Sequence, residues 1–124
     1  MTISEAVKIV DNLKKGNKIS EREKIYWLSE LDGIIKSETI NTHEGAENVH
    51  FSGYDENTDG NTVLLVKEPY CDIYIHYLIA KIDLYMGDSG RYNNDMILYN
   101  DAKKRFTDWY NRNHKSNVIK NLRW

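Results

Sequence analysis

Residues Pro69 to Met86, PYCDIYIHYLIAKIDLYM, constrain the fold of this chain more than any other stretch. Placed on a helix at about 100° per residue, Asp72, His76 and Asp83 fall within an arc of roughly 40°. Apolar side chains between Ile73 and Met86 cover nearly all the rest of the surface. A helix apolar almost all round needs neighbours on most sides. Lys81 stands on the opposite face, where its stem can lie on apolar surface while the ammonium reaches water. Pro69 suits a first helical turn and Gly87 suits a stop. The stretch is therefore read as a central helix that other helices, or other subunits, must cover.

Length and charge narrow the rest. With 124 residues the chain makes one domain with one core, and 17 Lys and Arg against 19 Asp and Glu argue against a protein that coats DNA by neutralising phosphates. Cys71 is the single cysteine, so no intramolecular disulfide and no cysteine-rich zinc site can form; on an apolar helix it reads as a buried, inert thiol. The opening MTISEAVKIV has no basic region followed by an apolar core, and the apolar run at 73–82 is too short and interrupted to span a bilayer. These features predict a soluble chain from a reducing cytoplasm.

Thr2 with Glu5, and Ser20 with Glu23, carry the capping-box spacing and predict two helices. The first is short, with Ala6, Val7, Val10 and Leu13 at helical spacing and Gly16 at its end. The second runs from Glu21 to about Thr39, with Ile25, Leu28, Leu31 and Ile35 in one stripe and Trp27 and Ile34 in another. Two stripes imply two partners. Asp32 projects into the first stripe, either paired with Lys36 or Lys24 or making an intersubunit contact. From Asn41 to Asn61 helical periodicity vanishes, and VHF at 49–51 and TVLLV at 62–66 predict a short β-hairpin turning near Asp59-Gly60. A last helix from about Arg91, with Tyr92, Met96, Tyr99, Phe106 and Tyr110 on one face, would pack along the central helix as an antiparallel hairpin. The expected fold is thus mainly α: a bundle of about four helices with a long central helical hairpin, and a β-hairpin or long loop between the second and third. Residues 1–113 form the domain, and 114–124, HKSNVIKNLRW, form a flexible basic tail.

The polar clusters of the chain spell out no complete chemical motif. Asp55, Asn57, Asp59 and Gly60 open like an EF-hand loop, but the twelfth position is Val66 instead of a bidentate Glu, so turn chemistry is the better reading. His43, Glu44 and His50 lack a metal-ligand spacing, and Asp72 with His76 reads as a hydrogen-bonded polar line on the central helix. There is no P-loop, nucleophile elbow or glycine-rich dinucleotide turn. No catalytic residue, metal site or cofactor is predicted, and the chain is not read as an enzyme.

The runs SEREKIYWLSELDG (20–33), THEG (42–45), GYDENTDGNTVLLVKEPYCDIYIHYLIAKIDLYMGD (53–88) and RYNND to WYNRNH (91–114) together resemble a family of head-tail connector, or adaptor, proteins of tailed phages and prophages of Gram-positive bacteria. The most specific part is LLVKEPYCDIYIHYLIAKID followed by RYNND; the tail after His114 departs from the family's short endings. The resemblance implies a structural virion protein of the neck, present in the host cytoplasm during assembly. It would form a ring, typically twelvefold, beneath the portal, complete the filled head, dock the next neck or tail protein and let genomic DNA pass without reading its sequence, with no membrane involved. A closed ring needs two different complementary faces. Trp27, Ile34, Asp32, Tyr54 and Leu65 are the candidates for self-association, and Val118, Ile119, Leu122, Arg123 and Trp124 for docking on the portal. The alternative is a small helical DNA-binding or regulatory protein of a phage or prophage, with the first two helices as a helix-turn-helix, although the second helix lacks an outward row of base-reading side chains.

Overall fold

A computed structural model describes residues 1–117 of the chain. Four helices follow in order: α1 (Ile3–Leu13), α2 (Glu21–Glu38), α3 (Asp72–Tyr85) and α4 (Ser89–Asn113), with short 3₁₀ turns at Ile40–Thr42 and Ala46–Asn48. α1 starts where its capping box sits: the Thr2 hydroxyl accepts from the Glu5 amide, and the Glu5 carboxylate accepts from the Thr2 amide. Its Ile3, Ala6, Val7 and Val10 face the core. At α2 the Ser20 hydroxyl accepts from the Glu23 amide, and Ile25, Leu28, Leu31 and Ile35 are buried as one stripe. α1 and α2 are joined at their polar edge by Lys24, a buried ammonium that donates to Asp11 at 2.6 Å and to the Ile19 carbonyl at 2.9 Å.

α3 is central: it packs against α1, α2 and α4. It is shorter than its apolar pattern predicts, because Pro69 lies outside it. Residues 67–70 form a turn in which the Tyr70 amide donates to the Lys67 carbonyl, and the helix begins at Asp72. Its last turn also leaves the core, with Leu84, Tyr85 and Met86 exposed. The expected long hairpin is therefore lopsided. At about 1.5 Å per residue α4 is nearly twice as long as α3, so its second half runs on past Tyr70. There Tyr70, Phe106, Trp109, Tyr110 and His114 make an aromatic layer, with His114 stacked on Tyr110 at 3.8 Å. His43 meets Tyr110 edge-on, its Nδ1 donating to the Thr39 carbonyl at 2.6 Å and its Nε2 lying 2.8 Å from the side-chain Oδ1 of Asn111. Residues 114–116 are held here as well. The Glu44 amide donates to the Lys115 carbonyl, and Ser116 bridges to His43.

The predicted β-hairpin does not form, and no strand occurs among the described residues. Residues 62–66 pair instead with the start of α1. The amides of Ile3 and Ser4 donate to the carbonyls of Thr62 and Gly60, the Leu64 amide donates to Met1, and Thr2 bridges to Val63. The physical reason is the set of unpaired amides in the first turn of any helix, which carbonyls from a distant segment satisfy here. This docking buries Leu64 and Val66 and turns Val63 outward. Gly60 lies close against Ser4: a Cβ there would meet the Ser4 hydroxyl, which would have to turn away. Phe51, from the other predicted strand, packs edge-on against Tyr54. Asp55 and Asp59 serve as turn formers, accepting from the amides of Asn57 and Asn61.

Candidate functional site

The charge that the periodicity of α2 places in its apolar stripe becomes the polar centre of the molecule. Asp32 is 0% exposed. Neither Lys24 nor Lys36 pairs with it: Lys24 is held by Asp11, and Lys36 donates to Asn41 and to the Ala46 carbonyl. Its Oδ1 accepts from the Tyr74 hydroxyl at 2.6 Å, and its Oδ2 from the Tyr54 hydroxyl at 2.6 Å and the Leu65 amide at 3.1 Å. Tyr74 in turn accepts from the Val66 amide at 2.7 Å. One carboxylate thus ties α2 to α3 and to both halves of the long loop. Burial pushes the Asp32 carboxyl up, against the three hydrogen bonds that favour its charge, and pushes the Tyr54 and Tyr74 phenols up as well. Asp32 and Tyr74 at the centre of this clamp are closed off from solvent, while Tyr54 reaches the surface beside them.

Next to this clamp the surface opens into a groove of about 690 Å³ between the first half of α2, residues 54–56 and the last turn of α3. Trp27, only 3% exposed, forms part of its wall and packs on Tyr85 with ring centroids 5.2 Å apart. Tyr26 and Tyr85 are each 64% exposed at its rim. Gly53, with φ +95°, turns the chain so that the Tyr54 amide can donate to the Ser29 hydroxyl and hold the loop side of the groove in place. Four carboxylates line the groove, Glu23, Glu30, Asp55 and Glu56, against two cations, Arg22 and Lys81. Glu30 accepts from the Tyr77 hydroxyl and from Lys81; burial alone would raise its carboxyl, but these partners hold it below the usual range. The groove is a concave, aromatic and net-acidic surface, suited to a cationic segment with apolar side chains.

A third polar cluster closes the other side of α3. Asp83 accepts from Lys14 at 2.7 Å, and its carboxyl neighbours that of Asp95 on α4. The Oδ2 atoms of both aspartates are buried, and no donor among the described residues reaches either. Two carboxyl groups this close disfavour a second negative charge, so one proton between them is favoured: burial, then the hydrogen bond to Asp83 and its charge, push the Asp95 carboxyl up to about 7. Burial acts on Asp83 in the same sense but is outweighed by Asp95, Lys14 and Arg91, which keep it low. Asp88 also faces the pair and adds to the rise at Asp95.

Asp72 and His76 face each other at 3.7 Å, within ion-pair reach but too long for the expected hydrogen bond, and Asp72 also takes Arg105 of α4 at 2.8 Å. Cys71 is buried, its thiol donating to the Val66 carbonyl, and burial pushes it up to about 11. No three His, Cys, Asp or Glu side chains are arranged to hold a metal among the described residues. Nor is any helix there long and apolar enough to cross a membrane.

The structure brings together three of the five residues singled out for self-association, but within one chain. Asp32, Tyr54 and the Leu65 amide share the clamp, and Trp27 is buried in the groove wall. Asp32 and Trp27 thus have almost no free surface for another copy, whereas Ile34, Tyr54 and Leu65 are half-buried. Val118, Ile119, Leu122, Arg123 and Trp124 lie outside the described residues. Sequence reasoning missed Tyr74 and Asp95. In the sequence Tyr74 reads only as part of an apolar helix and Asp95 only as part of the RYNND run, and neither spacing marks the aspartate that it meets across the fold. No protein-family model, curated protein or solved structure matches the chain.

Proposed function

We propose that the chain is a structural protein of a tailed-phage neck: a head-tail connector that assembles as a ring beneath the portal, completes the DNA-filled head and docks the next neck or tail protein. The resemblance of residues 20–114 to such connectors supplies the class. The observation that carries the reading is apolar surface left uncovered by the fold, at Leu84, Tyr85 and Met86 on the end of α3 and at Ile97 and Leu98 on α4, of which Ile97 is 67% exposed. Side chains of this size, clustered beyond the core of a small polar chain, are suited to contacts with other copies or partners. Two distinct surfaces, the aromatic groove and the outer side of α4, meet the requirement of a heterologous contact that closes on itself. A formal net charge of -2 suits a channel through which DNA slides without being gripped.

The test is the mass of the purified protein by light scattering across concentration, alone and with its cognate portal. A discrete ring, or capture by the portal into one, is expected. A strict monomer that ignores the portal would refute the proposal, and salt-sensitive DNA binding by that monomer would establish the regulatory alternative instead.

A further inference from the structure

We propose that the aromatic, acidic groove beside Trp27 receives the C-terminal segment 118–124 of a second copy, so that copies join head to tail through it. The inference deepens the connector reading and rests on its premise that the chain self-assembles. Two observations carry it. The first is charge complementarity. The groove presents four carboxylates against two cations between exposed tyrosine rings, while VIKNLRW holds Lys120 and Arg123, no acid, and four apolar side chains including a tryptophan. Arginine and lysine over tyrosine faces, next to carboxylates, are a favourable pairing on both counts.

The second is the polarity of the fold. The groove lies at the Tyr85 end of α3, where α4 begins, and α4 then carries the chain away over 25 residues, about 37 Å at 1.5 Å per residue. Residues 114–116 are fastened at that far end, against Tyr110, His43 and Glu44. From Asn117, fully extended chain at about 3.4 Å per residue spans roughly 10 Å to Lys120 and roughly 20 Å to Arg123. That reach is shorter than the length of α4 between the anchored residues and the groove end of the fold, which favours the groove of a second copy over the segment's own. A donor at one end and an acceptor at the other is the arrangement that generates a ring when the rotation closes. The sequence alone assigned these residues to the portal; the groove supplies a complementary surface on the chain itself.

A charge swap in the full-length protein tests this. One variant carries Glu23→Lys and Glu56→Lys, both exposed in the groove and outside the Asp32 clamp; the other carries Lys120→Glu and Arg123→Glu. Each alone is expected to weaken self-association by about tenfold or more, because like charges then meet across the contact. An equimolar mixture, in which each segment again faces an opposite groove, is expected to recover the wild-type mass in light scattering. Circular dichroism of each variant checks that the fold is kept. Variants that assemble as well as wild type, or a mixture that stays dissociated, would overturn the inference. If those same variants still form a portal-bound ring, the connector reading stands without this contact. If the swap behaves as expected but no chain binds the portal, the contact stands and the connector reading falls.

Discussion

Replacing Tyr74 by Phe removes one oxygen and disturbs two buried partners at once. The Tyr74 hydroxyl donates to Asp32 and accepts from the Val66 amide, and the side chain is fully buried. Losing a hydrogen bond to a charged group costs about 1.5–3 kcal/mol, and leaving a buried amide without an acceptor costs about 1–3 kcal/mol more. Tyr74→Phe should therefore destabilise the chain by about 3–5 kcal/mol. Tyr54→Phe removes a bond of the same length to the same carboxylate, but Tyr54 is only half-buried and its hydroxyl accepts from no buried amide. Water can reach the vacated side, and Oδ2 keeps the Leu65 amide, so about 1–2 kcal/mol is expected. Urea unfolding followed by tryptophan fluorescence measures both, with unchanged m-values showing that only stability has moved. The double variant should be less destabilised than the sum, because both phenols serve one carboxylate. A Tyr74→Phe loss no larger than that of Tyr54→Phe would refute the claim that the clamp holds the loop to α3.

The Asp83–Asp95 pair makes stability depend on pH. In the folded chain the Asp95 carboxyl is pushed up to about 7 from about 3.8, so its contribution is fully present below about 4 and is lost as pH rises through 7. The limiting slope in that window is about 1.4 kcal/mol per pH unit, reduced here because Asp95 is partly open to solvent. Asp83, held low, acts in the opposite sense but only below about pH 4, outside the window. Asp95→Asn, which keeps a donor for Asp83 without a charge, should flatten melting temperature against pH between 5 and 8 and raise it at pH 8; an unchanged slope would exclude the shared proton. Gly60→Ala should cost about 1–2 kcal/mol, because its Cβ would meet Ser4 Oγ at 2.1 Å. Adding Ser4→Ala should recover most of that loss in thermal melts, and no recovery would place the strain elsewhere.

The amino-acid sequence by itself determined the helices and most of their ends. Thr2, Ser20 and the periodicity of α2 act within a few residues of the backbone they organise, so the predicted span from Glu21 to about Thr39 differs from the observed one by a single residue. It also marked Asp32 as anomalous, because a charge within a run of buried positions is visible from spacing alone. Tertiary structure decided what such groups bind. Asp32 passed over the lysines four or eight residues away for phenols 22 and 42 residues distant, since a buried carboxylate needs donors that come with it into the core, and those donors lie on α3 and the loop. The same competition dissolved the predicted hairpin. The alternation at 62–66 was compatible with a strand, but the open amides at the start of α1 claimed its carbonyls. Asp95 became a partner of Asp83 only through the packing of α4 on α3. Local pattern sets which backbone segments coil; the need to satisfy every buried polar group, met by residues far apart in the chain, sets how they are joined.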